Sequence, residues 1–190
     1  MYYKDLTSYV NLIAGEAVSY VYPSTLNVGW LWPGHEFDTG EVSRSVIEKL
    51  RSVIFYAILT EEPQRLGGEG AKVPKLNLVS NSVRGPSMLC PWTKSNRFIG
   101  PPASFEGAKF APIELGTREL LLPSEDRKLA FCFPDLVIHY IENLGYMPPQ
   151  EFIDALSAFP IDEDFDADAE LQFLSEEEVE VSTSDLLARM

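Results

Sequence analysis

The residues with the clearest chemical potential are carboxylates gathered near the C-terminus. Residues 161–185, IDEDFDADAELQFLSEEEVEVSTSD, contain eleven Asp and Glu and no Lys or Arg. Large apolar residues are interleaved with these acids, and a purely solvating tail would lack them. Carboxylates with apolar neighbours are typical of a surface that recognises a basic partner, because the charges speed association and the apolar anchors slow dissociation. The run therefore predicts a binding arm.

The predicted arm offers two kinds of contact, electrostatic and apolar. The electrostatic contacts are Asp162, Asp164, Asp166, Asp168, Glu176, Glu177, Glu178 and Glu180, and the apolar anchors are Phe165, Phe173 and Leu174. A solubility device, or an acidic cap folded back on the chain, is the alternative interpretation. The alternating aspartates also suggest a calcium loop, but Ala167 and Phe173 replace the turn glycine and the bidentate glutamate of an EF-hand. Calcium binding is therefore not predicted.

Other residues that could do chemistry are few. The two histidines are His35 and His139, and the two cysteines are Cys90 and Cys132. No pair of them has the close spacing of a zinc site, and His139 falls near the rim of the apolar stripe of its helix. The chain has no nucleophile elbow, P-loop, dinucleotide fingerprint or zinc-protease motif. We therefore predict no enzymatic activity, no metal and no cofactor, and keep a metal-dependent enzyme using the loop Trp30–Asp38 as an alternative.

Charge is distributed unevenly along the chain. The formal net charge is −14 over 190 residues, and residues 151–190 hold 13 acids against the single base Arg189. An acidic surface repels nucleic acid and anionic membranes, so neither is predicted as a partner. Asp5 and Glu16 interrupt the start of the chain, where an export signal needs a basic segment and then an unbroken apolar one. We expect a cytoplasmic protein with reduced cysteines.

We expect the chain to form one α+β domain over residues 1–160, followed by an acidic extension over residues 161–190. The elements of this domain must position the residues described above. The strongest helix signal begins at Ser43, a favourable N-cap, and carries apolar residues at helical spacing from Val46 to Ile58. Glu48, Lys49, Arg51 and Ser52 fall on its opposite face. Two shorter helices are predicted over residues 134–145 and 148–159, with proline at their starts and Gly145 at the end of the first.

Strands are indicated by alternating and β-favouring segments. They are predicted over residues 75–80, 110–115, 118–122 and 128–133, and the last three form a small antiparallel sheet. The first forty residues predict irregular structure with one or two strands, and residues 81–107 predict a long loop. Within the extension, we expect a helix over residues 166–174, a strand over 178–182 and a closing helix over 184–190.

Three segments of the chain resemble a family of small, uncharacterised bacterial proteins. They are YYKDLTSY at the start, LNVGWL at residues 26–31 and HYIENLGYMPPQEFIDAL at residues 139–156. In that family the middle segment often carries a close pair of cysteines, and a second histidine follows the HY motif. Here only Cys90 stands in the cysteine region, and Leu144 and Gly145 fill the place of the second histidine, so a metal role of those positions is not expected.

The resemblance implies a bacterial source and a context in which small acidic proteins act as immunity proteins. We therefore expect a protein that binds and neutralises a cognate toxin, with a basic nuclease-type effector of a type VI secretion system as its partner. The segment 81–107 and the extension lie outside the three shared segments, where a partner-specific surface is expected. The alternative is an acidic adaptor or self-capped structural module without a toxin partner.

Overall fold

The computed structural model describes residues 2–11, 17–66, 73–80, 89–95, 97–105, 110–172, 174 and 178–187. These residues form an α+β fold, which confirms the predicted class. Within them no helix is both long and apolar enough to cross a membrane.

Nine strands and five helices alternate along the described residues. The strands are β1 (Ser8–Asn11), β2 (Val18–Asn27), β3 (Leu76–Asn77), β4 (Arg97–Ile99), β5 (Ile113–Leu115), β6 (Glu119–Pro123), β7 (Ala130–Pro134), β8 (Phe165–Asp166) and β9 (Val179–Ser182). The helices are α1 (Arg44–Glu61), α2 (Val137–Leu144), α3 (Gln150–Ala158), α4 (Ala167–Glu170) and α5 (Thr183–Leu187), and a short 3₁₀ turn, Pro63–Leu66, follows α1.

The main sheet is built around the long strand β2. Its strand order is β1-β2-β7-β6, and β9 also pairs with β2. The pairs β1–β2, β6–β7 and β2–β9 are antiparallel, whereas β2 and β7 run parallel. The sheet is therefore mixed. Of the three strands predicted to form one antiparallel sheet, β6 and β7 pair as expected, whereas β5 lies outside this sheet and pairs with β4. Two small sheets, β3–β8 and β4–β5, complete the described strands.

Helix α1 runs through the centre of the core. The Ser43 hydroxyl accepts a hydrogen bond from the Val46 N–H at 3.4 Å, as expected of an N-cap. Every residue from Ser52 to Leu59 is buried, and α1 packs against β3, α2 and α3. Ser52 was predicted on the solvent face and is instead buried, where its hydroxyl donates to the Glu48 carbonyl. Each large apolar side chain buried here contributes about 1.5–3 kcal/mol.

The ends of the shorter elements differ in part from the prediction. Pro134 is the last residue of β7, and α2 begins only at Val137, because the strand pairing with β6 extends through the proline. Gly145 ends α2 with a φ of 68°, as predicted. In the segment predicted as a long loop, β4 pairs with β5, and residues 81–88 lie outside the described residues.

Candidate functional site

The acidic extension folds back onto the rest of the chain. β8 pairs in parallel with β3, and β9 lies along the first half of β2. The Phe165 side chain is 6% exposed, with its ring centroid 5.2 Å from that of Phe159 and 5.8 Å from the Arg127 guanidinium. The other buried apolar residues of the extension are Ala167, Leu171 and Leu174. The extension is thus held by the same kind of apolar contacts that hold the core.

This docking changes the interpretation of the predicted apolar anchors. Phe165 and Leu174 are buried against the body of the protein, where they hold the extension in place, and their role as anchors for a partner stays a prediction. The physical reason is that apolar side chains interleaved with acids can be buried inside their own chain as well as in an interface. The predicted anchor Phe173 and the predicted contacts Glu176 and Glu177 lie outside the described residues.

Two of the predicted electrostatic contacts fasten the extension. Asp164 Oδ1 accepts a hydrogen bond from the Lys75 N–H at 2.8 Å. Asp166 Oδ1 accepts one from Asn77 Nδ2 at 2.9 Å, and it also caps the first N–H groups of α4. These two carboxylates therefore have a structural role on the edge of β3.

The remaining predicted acids that the structure describes face solvent. Asp162, Asp168, Glu178 and Glu180 are all exposed. They belong to three different stretches of the extension, and the pairing of β8 and β9 fixes each stretch on the body. Their side chains therefore project from backbone that the strand pairing holds in place.

A pocket of about 240 Å³ opens where the extension meets the sheet. Tyr9 and Tyr22 line it from the sheet, and Asp168 lines it from the extension. The two tyrosine rings pack edge to face, with centroids 5.7 Å apart. Burial raises the pKa of Tyr22 above its usual value, and so does the nearby Glu178 carboxylate, which accepts a hydrogen bond from the Tyr22 hydroxyl. Aromatic rings beside carboxylates form a binding site suited to a Lys or Arg side chain.

Asp5 joins the three sequence segments that carry the family resemblance. Its Oδ1 accepts a hydrogen bond from the Gly29 N–H at 2.8 Å, and its Oδ2 accepts one from the Tyr146 hydroxyl at 2.7 Å. Burial raises the pKa of Asp5, while both hydrogen bonds oppose the rise. Gly29 has a φ of +70°, and a Cβ added there would lie 2.6 Å from Val137 Cγ2. Sequence reasoning missed this junction, although one member stands in each shared segment.

The loop Trp30–Asp38, the alternative catalytic segment, borders a cleft of about 730 Å³ beside Asp5. Its His35 ring stacks on Tyr2 with centroids 3.9 Å apart. Trp30 is buried, and its indole N–H donates to the Cys132 carbonyl at 3.1 Å. In the part of the chain that the structure describes, no group of three or more His, Cys, Asp or Glu is arranged to hold a metal ion.

Both cysteines are buried and free of disulfides. The Cys132 thiol donates a hydrogen bond to Glu119 Oε2 at 3.3 Å. Burial opposes ionisation of the Cys90 thiol, but hydrogen bonds involving Thr93, Trp92 and Arg97 outweigh it and hold the pKa of Cys90 below its usual value. With no exposed surface, Cys90 has a structural setting rather than that of a reactive thiol.

His139 is buried, with 7% of its surface exposed, whereas the sequence pattern placed it near a rim. The difference arises because β4, in the segment predicted as loop, lines the same cavity as His139. The neighbouring Asp135 is fully buried: its Oδ1 accepts from the Gly116 N–H at 2.6 Å, and burial raises its pKa to about 7 despite that bond and the Arg118 charge. Sequence reasoning did not single out Asp135, which follows β7 directly.

Most of the chain matches a known protein family. A family model described as a domain of unknown function (DUF7919) matches residues 1–157. No curated protein and no solved structure matches the chain. The matched region contains Asp5, Gly29 and Tyr146, and it ends before the acidic extension begins. The docked extension lies outside the matched region, and the pocket lies between matched and unmatched residues.

Proposed function

The chain belongs to the DUF7919 family, and from that premise we propose that it is an immunity protein that binds and neutralises a cognate antibacterial toxin. Its partner is a basic nuclease-type effector of a type VI secretion system, and the protein acts in the cytoplasm by stoichiometric binding rather than by catalysis. The observation that carries this proposal is the pocket between Tyr9, Tyr22 and Asp168, which the acidic extension closes.

The position of the charge supports a partner of this kind. Residues 151–190 carry 13 acids and one base, and the family match stops at residue 157. A nuclease must present an electropositive groove to hold phosphates, and a carboxylate surface complements such a groove. Because the extension is docked, its exposed acids need little further ordering when they meet a partner, which lowers the entropic cost of binding.

The pocket adds a specific contact to this electrostatic attraction. A Lys or Arg side chain from the toxin would insert between the Tyr22 ring and the Asp168 carboxylate, with Glu178 close to the Tyr22 hydroxyl. Tyrosine and arginine are among the residues that dominate binding energy in protein interfaces. Insertion of a basic residue that the nuclease needs for phosphate binding would block the toxin directly.

Charge reversal on the ordered surface tests the proposal. The pocket variant carries Asp168→Lys, Glu178→Lys and Glu180→Lys, which reverse three exposed acids of the extension. Asp168 lines the pocket, Glu178 lies beside Tyr22, and Glu180 lies on β9. Its matched control reverses three exposed acids of the body, Glu36, Glu41 and Glu125, and changes the net charge equally. Each tagged protein is used to capture partners from the lysate of the source bacterium, and the captured protein is then expressed with each variant in a sensitive strain.

Each outcome of this experiment decides between the interpretations. We expect wild type and control to capture one basic protein and to restore growth, and the pocket variant to do neither, with an unchanged thermal midpoint. Equal protection by the pocket variant would contradict the assignment of this surface. Failure of wild type to protect against any basic protein that it captures would contradict the immunity function.

The self-capped module stays the second candidate, because the same docked extension also covers the edge of β2. A purely structural cap predicts that the pocket variant loses stability and has no specific partner. Thermal unfolding of the pocket variant beside its matched control therefore separates the two candidates.

A further inference from the structure

The outer edge of β9 has no strand beside it in the described part of the chain. β9 pairs with β2 and with no other described strand. Glu180 and Ser182 are exposed on this strand. An uncovered strand edge presents backbone N–H and C=O groups, to which an extended segment of another chain can add as a further strand.

The register of β9 on β2 shows which backbone groups point outward. Continuing the ladder by one residue places Thr183 opposite Ala17, and the Thr183 N–H donates to the Ala17 carbonyl at 3.0 Å. Residues that bond to the neighbouring strand alternate along an antiparallel pair with residues that do not, so Val181 also bonds to β2. The backbone groups of Glu180 and Ser182 therefore point away from β2.

The side chain of Glu180 lies on the sheet face that carries the pocket. Directly opposed residues of two strands share a face, and so do residues two apart along one strand. Glu180 is opposite Tyr20, and Tyr22, two residues further along β2, lines the pocket. Glu178 accepts a hydrogen bond from the Tyr22 hydroxyl and belongs to the same face. Two exposed carboxylates therefore accompany the outer edge of β9 on the face where the pocket opens.

The charge of this face decides which kind of strand can add to the edge. If a second copy of the chain paired through its own β9, the carboxylates of the two strands would lie side by side, and like charges across a strand pair are destabilising. A segment with Lys or Arg at alternate positions brings opposite charges to the same places. Residues 151–190, with 13 acids and the single base Arg189, attract such a segment at longer range as well.

We propose that the outer edge of β9 binds an extended basic segment of the partner protein by strand addition. The inference rests on the proposed function and adds to it the way in which the partner's backbone is bound. The outward N–H and C=O groups of Glu180 and Ser182 form the backbone hydrogen bonds, and the Glu180 carboxylate pairs with a Lys or Arg of the added strand. In this mode of recognition the backbone bonds give affinity and the alternate side chains give specificity.

Amide hydrogen exchange of the full-length protein, followed by NMR, tests the edge directly. In the free protein we expect the N–H groups of Glu180 and Ser182 to exchange at least about tenfold faster than that of Val181, because only Val181 is bonded to β2. The probe is the peptide acetyl-Lys-Val-Lys-Val-Lys-Val-amide, which carries Lys at alternate positions. We expect it to bind with a dissociation constant of about 1 mM or below. At about ten times that concentration it should slow exchange of both outward N–H groups roughly tenfold, whereas the peptide with Glu in place of Lys should leave them unchanged.

Two substitutions at one position separate backbone pairing from charge. Glu180→Pro and Glu180→Ala both remove the carboxylate, but only proline also removes the outward N–H. Because that N–H does not bond to β2, both variants should fold, as edge strands tolerate proline at such positions. We expect Glu180→Pro to bind the Lys peptide at least about fivefold more weakly than Glu180→Ala. If Glu180→Pro fails to fold, Ser182→Pro with Ser182→Ala as its control replaces the pair, with the same expected difference.

The proposal would be overturned if the Lys peptide fails to protect the outward N–H groups, if the Glu peptide protects them equally, or if the proline and alanine variants bind the Lys peptide equally. Protection in the free protein that increases with protein concentration would place a second copy at the edge and would also overturn it. None of these measurements uses the toxin, so their failure is distinct from failure of the immunity function, which the growth assay with the pocket variant decides.

Discussion

Truncating the Phe165 side chain tests whether the acidic extension belongs to the folded core. Phe165 is 6% exposed and contacts Phe159 and Arg127. Replacing a buried phenylalanine with alanine costs about 3–5 kcal/mol, because transfer free energy is lost and a cavity remains. We therefore expect Phe165→Ala to lower the free energy of unfolding by about 3–5 kcal/mol.

Urea denaturation is the appropriate assay for this change. With a slope of about 1–3 kcal/mol per M, the urea midpoint should fall by roughly 1–5 M while the slope stays constant. Val179→Ala is the matched control, since Val179 also lies in the extension but its side chain is 48% exposed. An exposed substitution of this kind changes stability by about 0.5 kcal/mol or less.

The comparison has a clear refuting result. If Phe165→Ala unfolds within about 0.5 kcal/mol of the wild type, as expected for the exposed control, the extension is not part of the cooperative core. The pocket between Tyr9, Tyr22 and Asp168 would then not persist in solution, and the function proposed from it would lose its basis. A large loss for both variants would instead indicate that β9 depends on its exposed residues.

Three further predictions concern the family domain. Gly29→Ala should lower the free energy of unfolding by about 1–3 kcal/mol more than Gly145→Ala. Both positions have a positive φ, but only at Gly29 would a Cβ overlap a neighbour. Equal losses of free energy in urea denaturation would contradict this. Tyr146→Phe should cost about 1–3 kcal/mol, because it leaves a partly buried, charged Asp5 oxygen without its donor. A thermal midpoint equal to that of the wild type would disprove the role of the bond. Asp135 has a pKa of about 7 in the folded chain against 3.8 in the unfolded chain, so its contribution to stability is full below pH 3.8 and is lost as pH rises through 7. Asp135→Asn should therefore remove up to about 1.4 kcal/mol per pH unit of this decline in the free energy of unfolding. Equal pH dependence of the free energy of unfolding in both proteins would contradict this.

Elements with a local signal at their ends could be predicted from the sequence. Ser43 starts α1 and Gly145 ends α2 as expected, because capping depends on the residues of one turn. Pro134 was assigned to the wrong element, because a proline suits both the first turn of a helix and the end of a strand. Only the pairing with β6, set by residues far along the chain, decides between the two.

The candidate site shows the same division between local and long-range information. The exposure of Asp168 and Glu180 follows from charge alone, and the sequence predicts it. The burial of Phe165 could not be predicted, because an apolar residue in an acidic run fits equally against a partner and against its own chain. The burial of His139 also required the fold, because β4 was hidden in a segment rich in proline and glycine.

The placement of β9 beside β2 sets the order in which the chain can finish folding during synthesis. Ser19 and Thr183 lie 2.9 Å apart through their hydroxyl oxygens but are 164 residues apart in sequence. The first half of β2 therefore leaves the ribosome well before β9 and must wait for this partner while the intervening residues are translated. Contacts of such long range slow folding and leave a strand edge open to association with other chains. The nascent protein must protect that edge until β9 emerges, and the strand that then covers it carries the acid Glu180.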